Sequence, residues 1–123
     1  MIFNKLFGAS GGARISAREA HRRATDGEAV LLDVREAAEW KAGHAPGAVH
    51  LPLGNIAAGA QLPAAARNRT VMVICRSGGR SRQATGILAG RGVDAVDVTG
   101  GMQVWAREGL PVTGPGGRPG TVA

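Results

Sequence analysis

The single cysteine of this sequence is the first residue of the segment best suited to nucleophilic catalysis. Cys75 follows the apolar run Val71-Met72-Val73-Ile74 and opens the segment Cys75-Arg76-Ser77-Gly78-Gly79-Arg80. Glycines let a loop curl so that its backbone N–H groups converge on one point. If Ser81 begins the next helix, the helix N-terminus adds partial positive charge to that of the two arginines. These features favour a reactive thiolate at position 75.

A purely structural cysteine is the alternative, because free cysteine is among the most buried residue types. The neighbours of Cys75 decide against it. A cysteine that only ends a core strand has no need of two arginines and two glycines directly after it, whereas a nucleophile in an anion-binding loop does. We therefore expect Cys75 to be catalytic and its loop to bind an oxyanion.

The charge of the chain bears on the kind of partner. The net charge is +6 and the sequence pI is near 11.3, which raises the question of nucleic acid. The arginines are scattered along the chain, however, and no aromatic residues are interleaved with them for base stacking. The sequence predicts a small anionic substrate and no nucleic acid.

Cysteine usage and hydropathy predict the compartment. One cysteine allows no intrachain disulfide and no cysteine pair for zinc, so we expect a cytoplasmic protein with no metal or other cofactor. No segment approaches the ~20 apolar residues of a membrane span, and the start of the chain lacks the apolar run of a signal peptide. The expectation is a soluble, unprocessed chain with no membrane partner.

Elements that would position the cysteine can be read from the pattern around it. Ser16 can cap a helix through Thr25, with Glu19 completing a capping box. The nearly continuous apolar run Ala29–Val34 predicts a parallel strand covered on both faces. A short helix over 36–42 and a brief strand over Ala48–Leu51 follow.

The second half repeats this alternation. Short helical turns are expected over 54–68, and Val71–Ile74 is the strongest strand signal. A helix over Ser81–Leu88, a strand over Ala95–Val98 and a helix over Gly101–Glu108 complete the pattern. Strands alternating with helices indicate an α/β domain with a mostly parallel sheet. We expect one domain over 14–112, preceded by a short N-terminal segment over 1–13 and followed by a flexible Gly/Pro-rich tail over 113–123.

Several separated motifs together resemble the rhodanese family of sulfurtransferases. They are Leu31-Leu32-Asp33-Val34-Arg35 with Glu36, Glu39 and Trp40; Gly43-His44-Ala45-Pro46-Gly47-Ala48 with His50 and Pro52; Cys75 to Ser81; and Gly100-Gly101-Met102 with Trp105 and Gly109-Leu110-Pro111-Val112. The resemblance covers roughly residues 14–112 and rests on the joint order and spacing of these pieces. It implies a rhodanese-like three-layer domain, with a five-stranded parallel sheet flanked by helices.

The resemblance also implies a reaction. Cys75 would take a sulfane sulfur from thiosulfate or a persulfide donor, form a persulfide and pass the sulfur to a thiol, cyanide or protein acceptor, which is covalent catalysis. Arg76 and Arg80 are suited to hold sulfonate oxygens. The implied substrate-binding set is Arg76, Ser77, Gly78, Gly79, Arg80 and Ser81.

Loop length and composition bear on the substrate. Cys75 to Arg80 spans six residues, the length associated in this family with sulfur transfer, whereas phosphatase-like and arsenate-reducing relatives have one residue more. The arginine of such a longer loop would fall at position 81, which is Ser81. Mercaptopyruvate-using relatives tend to have a less basic loop. With no second cysteine to resolve a persulfide, the sulfur must leave to an external acceptor.

Two other classes of function remain open. A sulfur-relay or persulfide-carrier module would take its sulfur from a protein partner and show only incidental activity with thiosulfate. A regulatory rhodanese-like binding module would do no chemistry, and the intact Cys75, Arg76 and Arg80 speak against it.

The remaining polar and aromatic candidates have supporting roles. We expect Asp33 and Arg35, at the end of a neighbouring strand, to support the active loop as a charged pair. His44 lies in a turn motif, so a general-base role is not expected. His21 and His50 are expected to be non-catalytic, and Trp40 and Trp105 to pack in the core.

Overall fold

The structure is a computed structural model that describes residues 13–123. The expected N-terminal segment over 1–13 therefore lies almost wholly outside the described residues. The strands are β1 (Arg14–Ile15), β2 (Val30–Asp33), β3 (Val49–His50), β4 (Val71–Ile74) and β5 (Ala95–Val98). The α-helices are α1 (Ala17–Thr25), α2 (Ala37–Ala42), α3 (Leu53–Ala57), α4 (Gly79–Gly90) and α5 (Gly101–Arg107), with 3-10 turns at Ala64–Ala66 and Pro115–Gly117.

The five strands form one parallel sheet in the order β1-β5-β4-β2-β3. This confirms the predicted α/β fold with a five-stranded parallel sheet flanked by helices. Strand β4 lies at the centre, between β2 and β5, and all four of its residues are buried. Because the strands are parallel, the residues that follow β2, β4 and β5 gather at the same edge of the sheet.

Alternation of side chains along β4 divides the core into two layers. Met72 and Ile74 face a cluster that includes Trp105 of α5 and residues of α1. Val71 and Val73 face the opposite cluster, with Ile56 of α3 and residues of α4. Small aliphatic side chains fill both layers, as the low aromatic content requires. Among residues 13–123, no helix is long and apolar enough to cross a membrane.

The predicted helix after Ser16 is present with its cap, since Ser16 Oγ accepts the Glu19 amide hydrogen at 3.1 Å. Strand β1 and the start of helix α4 are two of the differences from the sequence prediction. Strand β1 was not predicted, because two residues are too few to show a period. Helix α4 begins at Gly79 rather than Ser81, with Gly78 as its N-cap at φ 122. The earlier start brings the helix N-terminus two residues closer to Cys75.

Residues 113–123 fold back on the domain, whereas a flexible tail was predicted for them. Thr113 forms a bridge with His44, and the Thr121 amide donates to the Ala42 carbonyl at 3.0 Å. A Cβ atom at Gly43 would lie 2.4 Å from Thr121 O. The segment is held by backbone hydrogen bonds at a close approach that glycine permits, so its composition, which offers little apolar surface, gave no sign of this anchoring.

Candidate active site

Cys75 lies where the central strand meets the start of α4. Cys75 is only 1% exposed. The chain turns through Arg76 and Ser77 to Gly78, whose φ of 122 is open to glycine but not to residues with a side chain. This turn brings the backbone back over the sulfur, so that the Gly78 amide donates to Cys75 Sγ at 3.0 Å. The sequence prediction of a curled loop around the sulfur describes this geometry.

Helix α5 supports the loop from behind. The Met102 amide donates to the Cys75 carbonyl at 2.8 Å, and the Gln103 amide donates to the Arg76 carbonyl at 3.0 Å. A Cβ atom at Gly101 would lie 2.4 Å from Cys75 O. Glycine at position 101 is therefore required for the N-terminus of α5 to approach the cysteine loop.

The two loop arginines have different surroundings. Arg76 is exposed, and its Nε donates to the main-chain oxygen of Ala123 at 2.8 Å. Arg80 instead forms two hydrogen bonds with Glu39 of α2, at 2.6 Å from Nη1 and 2.8 Å from Nη2. The bonds from Arg80 lower the pKa of Glu39 to about 2, and the same bonds raise the pKa of Arg80. Sequence reasoning assigned Arg80 to the substrate and did not foresee this partner, which lies 41 positions away.

The other residues of the predicted binding set line the same turn. Ser77 and Gly79 are exposed, whereas Gly78 and Ser81 are buried. Ser81 lies in the first turn of α4 with its Oγ 3.4 Å from Cys75 Sγ. The structure thus brings Gly78 and Ser81 to the sulfur of Cys75 and leaves Arg76, Ser77 and Gly79 exposed.

Asp33 and Arg35 form a fully buried ion pair at the same edge of the sheet. Arg35 Nη2 lies 2.7 Å from Asp33 Oδ2 and also donates to the Gly43 carbonyl at 2.8 Å. Its Nη1 has no partner among the described residues. The pair ties the end of β2 to the turn after α2, the helix that carries Glu39. The pair was predicted to support the active loop, but its side-chain contacts include no atom of the segment from Cys75 to Ser81.

The histidines and tryptophans make packing contacts, but Trp40, which was predicted to pack in the core, is only half-buried and belongs to a helix with no buried residue. The His44 and His50 rings lie parallel to Trp40, with centroid distances of 3.5 and 4.7 Å. His44 Nδ1 is 2.7 Å from the Trp40 carbonyl, and Trp105 is buried with its Nε1 donating to the Pro111 carbonyl. Within residues 13–123, no group of three or more His, Cys, Asp or Glu side chains is arranged to hold a metal ion.

One buried acid near the cysteine was missed from the sequence. Asp97 of β5 is 1% exposed, and its Oδ1 accepts a hydrogen bond from Ser81 Oγ at 2.5 Å. Its Oδ2 lies 3.3 Å from Nε of Arg14. An acidic residue inside the otherwise apolar strand Ala95–Val98 was the available signal.

Comparisons with known proteins match this geometry to a family. A sulfurtransferase of Allochromatium vinosum is 38% identical over 105 residues, which cover 84% of this chain and 96% of that protein. The crystal structure of a rhodanese-related protein from Thermoplasma volcanium superposes with a TM-score of 0.71 at 30% identity, over 82% of this chain and 97% of that one. A human single-domain sulfurtransferase superposes with a TM-score of 0.67 at 25% identity, over 77% of this chain and 96% of that one.

The family profile described as Rhodanese-like domain matches residues 16–108, which include the whole sheet from β2 to β5 and the cysteine loop. Together with the named relative, this match supports a sulfurtransferase activity in general terms. The match spans well over half of the chain. The chain therefore belongs to the rhodanese-like domain family.

Proposed function

We propose that the protein is a thiosulfate-type sulfurtransferase that carries sulfur as a persulfide on Cys75. The observation that carries the proposal is the Gly78 amide, which donates to Cys75 Sγ at 3.0 Å from the N-cap of α4. A backbone donor at a helix N-terminus stabilises negative charge on Sγ of the free thiolate. The Sγ atom thereby has a partner that suits the thiolate that attacks the donor in the first step and leaves again in the second.

The first step is a displacement at sulfur. The Cys75 thiolate attacks the outer sulfur of thiosulfate, a new S–S bond forms, and the bond between that sulfur and the sulfonate breaks. Sulfite leaves with the electron pair. In the second step an acceptor such as cyanide, a thiol or a protein thiolate attacks the outer sulfur of the persulfide, and the Cys75 thiolate is restored. The chain holds no second cysteine to intercept the persulfide.

Arg76 is the better placed of the two arginines to receive the donor's sulfonate. It is exposed, and its side-chain hydrogen bond uses only Nε. Its two terminal nitrogens therefore have no hydrogen-bond partner among residues 13–123. Arg80 must first exchange Glu39 for the donor. We propose that Arg76 makes the initial contact with the anion and that Arg80 joins after this exchange.

A protein persulfide donor is the second candidate. Arg76, Ser77 and Gly79 are exposed on the outer side of the loop, so a protein surface can approach it directly. Such a donor carries no sulfonate and has less need of the arginines. The cytoplasm remains the proposed location for either donor.

The test is to load the purified protein with thiosulfate and measure one added sulfur by intact mass, then to add cyanide and measure thiocyanate. Cys75→Ser is the control. We expect the wild type to gain and release one sulfur and the variant to do neither. A wild type that never gains sulfur and turns over no faster than Cys75→Ser would refute the proposal. Efficient loading by a protein persulfide but not by thiosulfate would favour the second candidate.

A further inference from the structure

Asp97 is a buried acid beside the reactive cysteine that the proposed sulfur transfer does not use. A hydrogen-bonded chain joins the two side chains. Cys75 Sγ lies 3.4 Å from Ser81 Oγ, and Ser81 Oγ lies 2.5 Å from Asp97 Oδ1. All three residues are at most 1% exposed. Bulk water is therefore a poor proton acceptor for the Cys75 thiol in this arrangement.

The direction of each hydrogen bond follows from the number of protons. A serine hydroxyl has one proton to donate, and an ionised carboxylate can only accept. The short contact to Asp97 is typical of a charge-assisted bond, so the Ser81 proton goes to the carboxylate. The Gly78 carbonyl, 3.2 Å from Ser81 Oγ, can then accept the Ser81 hydroxyl proton only weakly. An oxygen lone pair of Ser81 is then left to accept the Cys75 S–H.

We propose that Asp97 accepts the proton of Cys75 through Ser81. The S–H bond of Cys75 breaks and its proton moves to Ser81 Oγ, while the original Ser81 proton moves to Asp97 Oδ1. The electron pair of the broken bond stays on sulfur. The net charge of the three groups does not change, because one negative charge passes from the carboxylate to the sulfur.

The product arrangement stabilises the thiolate. Cys75 Sγ then accepts from the Gly78 amide and from the Ser81 hydroxyl, and the neutral Asp97 donates to Ser81. A chain of aligned hydrogen bonds in a poorly solvated site strengthens each member. Two buried negative charges side by side are avoided, which is the state that simple ionisation of the thiol would produce.

The charged neighbours of this chain are compatible with the transfer. On the β1 side, Arg14 lies 3.3 Å from Asp97 Oδ2, and its side chain is 45% exposed, so water solvates it when the carboxylate becomes neutral. On the α4 side, Arg80 interacts electrostatically with Cys75 and favours the thiolate. On the β2 side, Asp33 and Arg35 neutralise each other.

This inference rests on the proposed role of Cys75 as the nucleophile, but its test does not require sulfur transfer. Thiolate ultraviolet absorbance and the rate of alkylation by iodoacetamide are measured across pH, and the chain's single cysteine makes both signals specific. Two coupled groups that share a proton titrate in two steps. We expect the wild-type thiolate signal to rise in two steps, the lower one reporting the form in which Asp97 holds the proton.

Asp97→Asn should remove the lower step and leave a single titration. Ser81→Ala should reduce the lower step in the same way, since it breaks the chain and keeps both ends. At the pH of the lower plateau, alkylation of either variant should be slower by on the order of 100-fold, the lower end of what a positioned proton acceptor supplies. Asp94→Asn is the matched control and should keep both steps, because Asp94 bonds Thr70 and not Ser81.

Infrared spectra of the wild type provide a second measurement that needs no variant to fold. Between the two steps the S–H stretch should be lost while the C=O stretch of the protonated carboxyl group persists, and that C=O stretch should disappear at the upper step. A single step in the wild type, two steps that persist in Asp97→Asn, or no carboxyl band would overturn the inference. Failure of thiosulfate to load a protein that shows both steps would instead refute the proposed function and leave the proton transfer standing.

Discussion

Glu39 of α2 binds the guanidinium of Arg80, a residue of the cysteine loop, through both of its oxygens, at 2.6 and 2.8 Å. The carboxylate lies where a sulfonate would have to bind if Arg80 is to hold an anionic donor. The side chains are only partly exposed, 33% for Arg80 and 18% for Glu39. In the proposed reaction, Glu39 would therefore compete with an anionic donor for Arg80.

The first prediction is that Glu39→Gln improves the use of thiosulfate. Glutamine keeps the shape and can still accept the Glu36 amide hydrogen that Glu39 accepts at 2.9 Å, but it no longer neutralises Arg80. A partly exposed pair contributes about 0.5–1 kcal/mol, so KM for thiosulfate should fall about two- to fivefold. Steady-state thiocyanate formation measures it.

Glu36→Gln is the matched control for this change. Glu36 caps the same helix and is exposed, and it makes no hydrogen bond to Arg80. The KM of Glu36→Gln for thiosulfate should stay at the wild-type value. An unchanged or increased KM in Glu39→Gln would show that Arg80 does not meet the donor.

A second prediction concerns stability in acid. The hydrogen bonds from Arg80 hold the pKa of Glu39 at about 2, below the ordinary value of 4.5. The folded-state pKa is the lower one, so the stabilisation is fully present above about pH 4.5 and is lost as the pH falls through 2. Urea unfolding of the wild type and Glu39→Gln at several pH values should show a difference in unfolding free energy that shrinks over this range.

The comparison with Glu39→Gln is needed because Glu19 behaves similarly. Hydrogen bonds from Arg22 and Arg23 lower the pKa of Glu19 to about 2 as well. The acid sensitivity of the wild type alone would mix both carboxylates, whereas the difference between the two proteins isolates Glu39. A difference that stays constant from pH 5 to pH 2 would contradict the assigned cause.

Strands β2 to β5 and the cysteine loop could be predicted because the residue patterns that mark a strand or a turn are local in sequence. Apolar runs such as Val71–Ile74 mark buried strands, and the glycines beside Cys75 mark the turn. Contacts between distant positions could not be predicted in this way. Glu39 meets Arg80 from 41 positions away, and Thr121 meets Gly43 through backbone atoms whose pairing leaves no trace in residue type.

The buried pair of Asp33 and Arg35 leads to a third prediction. Both side chains are 0% exposed, and Arg35 donates five hydrogen bonds through its backbone and side-chain nitrogens. Arg35→Met leaves an uncompensated buried carboxylate, so it should lower the unfolding free energy by about 3–5 kcal/mol. Urea denaturation measures this loss.

Two further variants separate the charge effect from lost packing. Adding Asp33→Asn to Arg35→Met should recover part of the stability, because the stranded charge is gone. Arg22→Met removes an arginine from an exposed cluster of carboxylates and should lower the unfolding free energy far less, because solvent screens exposed ion pairs. Equal losses for Arg35→Met and Arg22→Met would argue against a structural role for the buried pair.

The fourth prediction tests how α5 supports the cysteine loop. Gly101 and Gly109 both have positive φ, 59 and 75, so alanine is strained at either position at a cost of about 1–3 kcal/mol. Only at Gly101 does an added Cβ collide with backbone, 2.4 Å from the Cys75 carbonyl and 2.7 Å from that of Arg76, whereas Gly109 has nothing within 4 Å. Gly101→Ala should therefore displace the loop and with it the Gly78 amide that faces the sulfur.

The rate of sulfur loading should fall at least about tenfold in Gly101→Ala, since even a misplacement of ~1 Å is costly to catalysis. In Gly109→Ala the loading rate should stay near that of the wild type. Equal loading rates in two folded variants would mean that the contact from α5 does not set the geometry of the cysteine.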